Sequence, residues 1–287
     1  MRLNYVKMQG AGNDYLYLDG IRDTLPRNWQ KNIPKLCENH YGIGADGVIE
    51  IFGGENGGIG MRMYNRDGSE GNMCGNGIRC LARYVFDRGY TKEKTFEVAT
   101  KTGHRPVTLH LKDGQVCAVS VEMGRAVFSD AEPPKKTVRM QGKRDCYDCF
   151  ALTVGNPHLT TFVSKIDQKS TEKYMADAAL FSRNFLFPDG ANIEYIKVVN
   201  STRLLMRVYE RGSGATLACG TGACAAVAVA CRAGLCPFDT LVTVAVLGGI
   251  LTVSCSPAFE MRLTGDCQYI CEGVWYESGM ESPFSGN

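Results

Sequence analysis

Cys74 and Cys219 each open a glycine-rich tetrad, Cys74-Gly75-Asn76-Gly77 and Cys219-Gly220-Thr221-Gly222. A helix-periodic apolar run follows each one. Ile78, Leu81, Ala82 and Val85 make a stripe after the first, and residues 223–232 are apolar nearly all round after the second. Each sulfur therefore falls at or just before the first turn of a helix, where unpaired N–H groups and the helix dipole stabilise negative charge. A cysteine so placed is expected to have a lowered pKa and thiolate character. The glycines let backbone N–H groups converge on an anion such as a carboxylate, and Asn76 and Thr221 add side-chain donors. A single Cys-Gly before a helix more often packs than reacts. A matched pair suits one chemistry, inversion of a carbon stereocentre. That reaction needs a base on one face and an acid on the other, and a thiolate and a thiol supply both and exchange roles in reverse. The same N–H groups would stabilise the charge that develops as the α-proton leaves, and closure around the site would exclude water. No cofactor and no metal enter such a scheme.

The elements that must position the two sulfurs are read from an internal repeat. Met61-Arg62-Met63-Tyr64-Asn65-Arg66 matches Met206-Arg207-Val208-Tyr209-Glu210-Arg211 at four of six positions, 145 residues apart. The offset of 145 also relates Cys74 to Cys219 and Gly89 to Gly234. Gly12-Asn13 resembles Gly155-Asn156, and residues 96–103 resemble 242–249. Two domains of one design follow, related by pseudo-two-fold symmetry, each reading strand, Gly-rich turn, helix, strand hairpin. Residues 61–65 and 206–210 alternate as strands. Gly89 and Gly234 are plausible helix stops. Residues 107–111 and 116–123 flank an Asp113-Gly114 hairpin turn. The boundary is expected near residues 125–136, at Glu132-Pro133-Pro134-Lys135-Lys136. A pseudo-two-fold axis would bring both helix starts to one interdomain cleft with a shared anion pocket.

Composition excludes several classes. Of 287 residues, 44% are hydrophobic and 22% charged, which is globular and not disordered. The net charge of +2 leaves no basic excess for a phosphate backbone, so no nucleic acid partner is expected. Glycine is the outlier at 33 copies, above the usual ~7%. The uncharged stretch 240–259 is split by Gly248-Gly249 and reads as two paired strands, not a membrane span. With no export signal at residues 1–14, the thirteen cysteines are expected to be reduced thiols in the cytoplasm. Cys37, Cys80, Cys117, Cys224, Cys231, Cys236 and Cys255 read as small buried hydrophobes. Residues 42–47 fit G-x-G-x-x-G, but a strand-like run follows where a dinucleotide site needs a helix, so nucleotide binding is rejected. Cys146 and Cys149 could be redox-active or half a zinc site with Cys267 and Cys271, whose spacing is loose.

At these same residues the chain resembles the diaminopimelate epimerases. The matching stretches are Lys7-Met8-x-Gly10-x-Gly12-Asn13-Asp14, Asn65-x-Asp67-Gly68-Ser69-Glu70, Met73-Cys74-Gly75-Asn76-Gly77-x-Arg79-Cys80, Gly155-Asn156-Pro157-His158, Glu210-Arg211-Gly212 and Ala218-Cys219-Gly220-Thr221-Gly222. Related proline and hydroxyproline racemases usually carry His where this chain has Asn76. The resemblance implies an α+β fold of two pseudo-two-fold-related domains, each with strands wrapped around a central helix. It implies domains 1–125, rejoined by the C-terminal segment 273–287 near Trp275, and 126–272. It implies cofactor-independent interconversion of LL- and meso-diaminopimelate by a homodimer, with Cys74 and Cys219 as the acid/base pair. Asn13, Asn65, Asn156, Asn192, Glu210 and Arg211 would line the substrate site. Gly75-Asn76 and Gly220-Thr221 would bind the reacting amino acid, and His158 and Glu210 would tune the thiols. Some family members carry Gln where Gly47 stands, so that position receives no side-chain role. Physically, Arg211 can hold a distal carboxylate bidentately, and the Asn amides can meet carboxylate and ammonium. Asn156 and Asn192 also read as turn residues, and His158 equally as a loop histidine bonded to backbone. Arg66 and Arg79 read as structural or surface charges. The alternatives are a racemase of another amino acid on this fold, a non-catalytic amino acid binder, and a thiol-redox protein.

Overall fold

The computed structural model describes residues 1–54, 57–129, 137–143, 145–183 and 187–277. The boundary segment Glu132-Pro133-Pro134-Lys135-Lys136 and residues 278–287 lie outside the described residues. Among the described residues four α-helices are set on a continuous ladder of strands: α1 (Ile33–Cys37), α2 (Gly75–Asp87), α3 (Gln168–Phe181) and α4 (Gly220–Arg232).

The two halves repeat the same order of pairings. In the first, Arg2–Gly10 and Asn13–Asp19 form a hairpin, Asn13–Asp19 runs parallel to Gly47–Gly53, and Gly47–Gly53 antiparallel to Ile59–Asn65. Ile59–Asn65 then pairs in parallel with Thr95–Thr100, which continues antiparallel through Gly103–Lys112 to Gln115–Arg125. In the second, Cys146–Thr153, Pro157–Phe162, Asn192–Asn200, Arg203–Glu210, Val242–Val246, Gly249–Cys255 and Glu260–Gly265 follow the same succession. Parallel neighbours need a crossover, and α2 and α4 are the crossovers at equivalent points. The final strands of the halves pair with each other, Val121 opposite Leu263. Gln268–Tyr276 returns to the first strand, with Trp275 opposite Leu3.

Local chemistry explains where the elements begin and end. The expected helix stops hold: Gly89 and Gly234 have φ of 77° and 71°, values that only glycine adopts without strain. Asp113 and Gly114, at φ 52° and 77°, make the expected hairpin turn. The uncharged stretch forms two antiparallel strands, as anticipated. Among the described residues, no helix is long and apolar enough to cross a membrane. Helix α4 lies inside its half, with every residue from 223 to 230 fully buried. Helix α2 buries Ile78, Leu81, Ala82 and Val85.

Two readings need correction. Cys117 is exposed, because the alternation of its strand turns it outward between buried Val116 and Val119. Helix α3 was not anticipated, although Asp167 and Ser170 form a capping box at its start and Tyr174, Ala178 and Phe181 make its buried stripe. Of the other cysteines read as small hydrophobes, all are buried.

Leu263 ties the halves together where the two central helices begin. A Cβ built on Gly75 would meet its Cδ2 at 3.0 Å, and one on Gly220 at 2.9 Å. Leu263→Ala is expected to destabilise the protein by about 2–5 kcal/mol, because it opens a cavity between both helix starts. Urea unfolding checks this.

Candidate active site

Both cysteines are N-caps in nearly the same backbone conformation, Cys74 at φ −121°, ψ 120° and Cys219 at φ −127°, ψ 117°. Extended backbone at the cap turns each side chain over its own helix, so the sulfur accepts the N–H three residues on. Gly77 N lies 3.4 Å from Cys74 Sγ and Gly222 N 3.3 Å from Cys219 Sγ. The two helix starts meet. A Cβ at Gly220 would stand 3.7 Å from Gly75 Cα and 3.8 Å from Asn76 Oδ1. Glycine at 75 and 220 is what permits this approach.

Around Cys74 the partners are amides and a phenol. Its S–H donates to Asn13 Oδ1 at 3.3 Å, Tyr15 donates to its sulfur, and Asn76 Nδ2 donates to the same Asn13 oxygen at 3.3 Å. Asn13 Nδ2 in turn donates to Asp46 Oδ2 at 2.6 Å, which fixes the Asn13 amide. Around Cys219 the partners are carboxylates. Its S–H donates to Glu210, and Thr221 Oγ1 lies 3.4 Å from the sulfur. Glu210 also accepts from Thr216 Oγ1 at 2.5 Å. Below lies a fully buried His158–Glu194 pair, Nδ1 to Oε1 2.6 Å, with Asn156 Oδ1 2.9 Å from Nε2 and Thr160 Oγ1 donating to Glu194 Oε2 at 3.1 Å. A Cβ at Gly222 would meet Glu194 Oε1 at 2.8 Å, so that carboxylate sits directly beneath the first turn of α4.

The expectation of lowered thiol pKa values is overturned. Burial pushes the Cys74 thiol up, and the N–H of Gly77 and the Tyr15 hydroxyl offset only part of it. Cys219 is raised further still, by burial first and then by the charges of Glu210 and Glu194. Cys219 is buried and Cys74 half-buried, and at both the desolvation of a thiolate outweighs the N–H groups of one helix start. Burial likewise raises Glu210.

The remaining residues divide. Asn192 is buried, accepts Arg211 N at 2.9 Å and donates to the Pro157 carbonyl at 3.2 Å, so it braces the Arg211 and Pro157 backbones. Arg211 is exposed, with Nη1 donating to the Asp189 carbonyl at 3.2 Å. Asn65 is exposed and donates to Ser69 Oγ at 3.0 Å. Residues 42–46 form a loop into the strand Gly47–Gly53, not a helix start. Cys146 and Cys149 lie on a strand with the first exposed and the second buried, so they do not face a common ion. A cavity of about 420 Å³ lies elsewhere, beside Tyr5, Asp19, Tyr84, Arg88 and Glu272, and touches none of these groups. Tyr15, Asp46, Glu194 and Thr216 were missed by the sequence reading. Only Glu194 left a signal, a charge inside the otherwise apolar run Ile193-Glu194-Tyr195-Ile196.

A family model described as Diaminopimelate epimerase matches residues 5–129 and 150–270. A diaminopimelate epimerase of Geobacillus kaustophilus (strain HTA426) is 36% identical over 288 residues, covering 96% of this chain and 97% of the relative. One from Acetivibrio thermocellus is 37% identical over 281 residues, covering 94% and 98%. Among solved structures, a hydroxyproline epimerase from Agrobacterium vitis shares the fold with a TM-score of 0.75 at 11% identity, covering 95% of this chain and 92% of that one.

Because Glu210 raises both thiols, Glu210→Gln should lower the pH midpoint of alkylation at Cys219 by about one unit or more, and that at Cys74 by less. Iodoacetamide labelling with peptide mass spectrometry checks both positions.

Proposed function

This chain belongs to the diaminopimelate epimerase family, and from that premise we propose that it interconverts LL- and meso-diaminopimelate with Cys74 and Cys219 as opposed acid and base in a cleft between the halves. The observation that carries the proposal is the meeting of two cysteine-capped helix starts at Gly75 and Gly220.

The reacting carbon lies between the sulfurs. One sulfur, as thiolate, takes the Cα proton and becomes a thiol, while the other, as thiol, delivers its proton to the opposite face and becomes a thiolate. Proton count and charge balance, and the reverse reaction exchanges the roles. The α-carboxylate is held by the N–H groups of Gly75-Asn76 and Gly220-Thr221, which also stabilise charge spreading into it as the proton leaves. Burial disfavours a thiolate in the substrate-free site, so the α-ammonium of the substrate supplies the cation that favours ionisation. Glu210, bonded to Cys219, receives that thiol's proton when Cys219 must act as base. Cys74 donates to the Asn13 amide oxygen, which cannot accept a proton permanently. The scheme needs no cofactor, because every group that moves a proton belongs to the chain. Asn13, Asn156 and the Arg211 guanidinium present amide and cationic groups to the distal amino acid centre, which is recognised and not inverted, and Asn192 acts behind them by bracing the Arg211 backbone. The enzyme works in the cytoplasm, as a homodimer.

Three outcomes are expected. Cys74→Ala and Cys219→Ala should each lower kcat by at least about 10²–10⁴-fold, the worth of a positioned acid or base. Turnover near that of the unaltered enzyme in either variant would refute the two-base reading. LL-diaminopimelate in deuterated water should gain deuterium at one Cα, and other amino acids in a panel should not. Arg211→Ala should raise KM by roughly 10–100-fold, the worth of a hydrogen-bonded charge, with a smaller change in kcat.

A further inference from the structure

Arg79 sits one turn into α2 and is fully buried. Its Nη1 donates to the Gly75 carbonyl at 3.2 Å and to Asn76 Oδ1 at 2.9 Å, and its Nε donates to the Asp266 carbonyl at 3.3 Å. Its Nη2 finds no acceptor among the described residues. Backbone closes tightly around the head group: a Cβ at Gly10 would lie 2.9 Å from Nη2, and one at Gly265 2.9 Å from Cζ. All of its partners are neutral oxygens. The Asp266 carboxylate turns instead to exposed Gln268 at 3.2 Å. Keeping a cation buried on neutral partners is costly, so Arg79 favours any negative charge within reach, and the neighbouring Cys267 thiol is lowered, by the Cys80 thiol first and by Arg79 and Arg83 as well.

The repeat shows which side it serves. The position 145 residues on is Cys224, which is neutral and buried in α4. The reverse holds one layer away. Ile49 lies beneath Gly77, where a Cβ would meet its Cδ1 at 2.5 Å, and the equivalent under Gly222 is Glu194. Asn65 stands where the second half has Glu210. At these three pairs of positions, then, the Cys74 half holds a buried cation, and the Cys219 half two carboxylates, one of them paired with His158, while the Cys74 side has its one carboxylate, Asp46, a step further off behind Asn13. Arg79 does not touch the Cys74 sulfur. It grips Asn76 Oδ1, which aims Asn76 Nδ2 at Asn13, the acceptor of the Cys74 S–H.

We propose that Arg79 is a positioning residue for the Cys74 side: it locks the Asn76–Asn13 amides and places uncompensated positive charge behind the Gly75-Asn76 turn, so that an anion is held more readily there than at Cys219. The inference deepens the two-thiol reading and rests on it. The other titratable groups facing Cys74 are Tyr15 and Glu210, with Asp46 behind Asn13. Those near Arg79 are the thiols of Cys80, Cys224 and Cys267.

The test is alkylation of the substrate-free protein by iodoacetamide across pH, with each cysteine followed by peptide mass spectrometry. In the unaltered protein the midpoint of Cys74 should fall below that of Cys219. Arg79→Met should raise the Cys74 midpoint by about one pH unit, a tenfold slower reaction at fixed pH, and change the Cys219 rate by less than about threefold. Arg79→Lys, which keeps the charge, should return the Cys74 midpoint toward its original value. Equal shifts at both cysteines, or none at Cys74, would overturn the proposal. If Arg79→Met does not fold, a Cys219 midpoint at or below that of Cys74 in the unaltered protein overturns it alone. No substrate is present, so failure to convert LL-diaminopimelate would count against the epimerase assignment and leave this result readable.

Discussion

Two helix starts packed against one leucine set the terms for everything else. Gly75 and Gly220 lack side chains, and Leu263 fills the space beside both, so the two cysteine-capped helix starts can pack against each other. The strand orders serve this contact. Each central helix is the crossover of a parallel pair, which fixes where its N-terminus emerges, and the pairing of Gln115–Arg125 with Glu260–Gly265 holds the two crossovers side by side.

That closeness has an electrostatic consequence. Packing takes water from the sulfurs, fully at Cys219 and in part at Cys74, and water is what an isolated thiolate most needs, so both are pushed toward their protonated forms. Dryness also strengthens every charge interaction inside. A helix start that would activate an exposed cysteine is insufficient here, and charges brought by side chains or by a ligand decide the outcome. The site is therefore most responsive to what enters it, which suits a catalyst that must hold a charge only while the substrate is present.

The duplication is close in its central helices and unequal in chemistry. The cysteine caps, the lengths of α2 and α4 and the pairing orders repeat, whereas α1 and α3 differ in length, and His158 stands where the first half has Tyr15, Glu194 where it has Ile49, and Cys224 where it has Arg79. The two-thiol reading proposed above gives a reason for this. A reacting carbon would face the two sulfurs alike, but the remainder of an asymmetric substrate would not, so the two sides would need different tuning.

By itself the sequence determined the repeat, the two helices with their cysteine caps and glycine stops, and the hairpins, because these depend on local periodicity, turn chemistry and short spacing. It did not reveal the ionisation of the thiols, since burial is a property of the assembled halves and reverses what a helix start alone would do. It did not mark Arg79, Asp46 or Tyr15, whose roles come from partners far along the chain, such as the Asp266 carbonyl 187 residues from Arg79. Helix α3 escaped although it is as long as the central helices, because its apolar stripe is weak and broken by polar residues and becomes distinct only where the sheet covers it. Tertiary structure alone decided which polar groups face each sulfur, because desolvation and long-range charge act through space and leave no period in the chain.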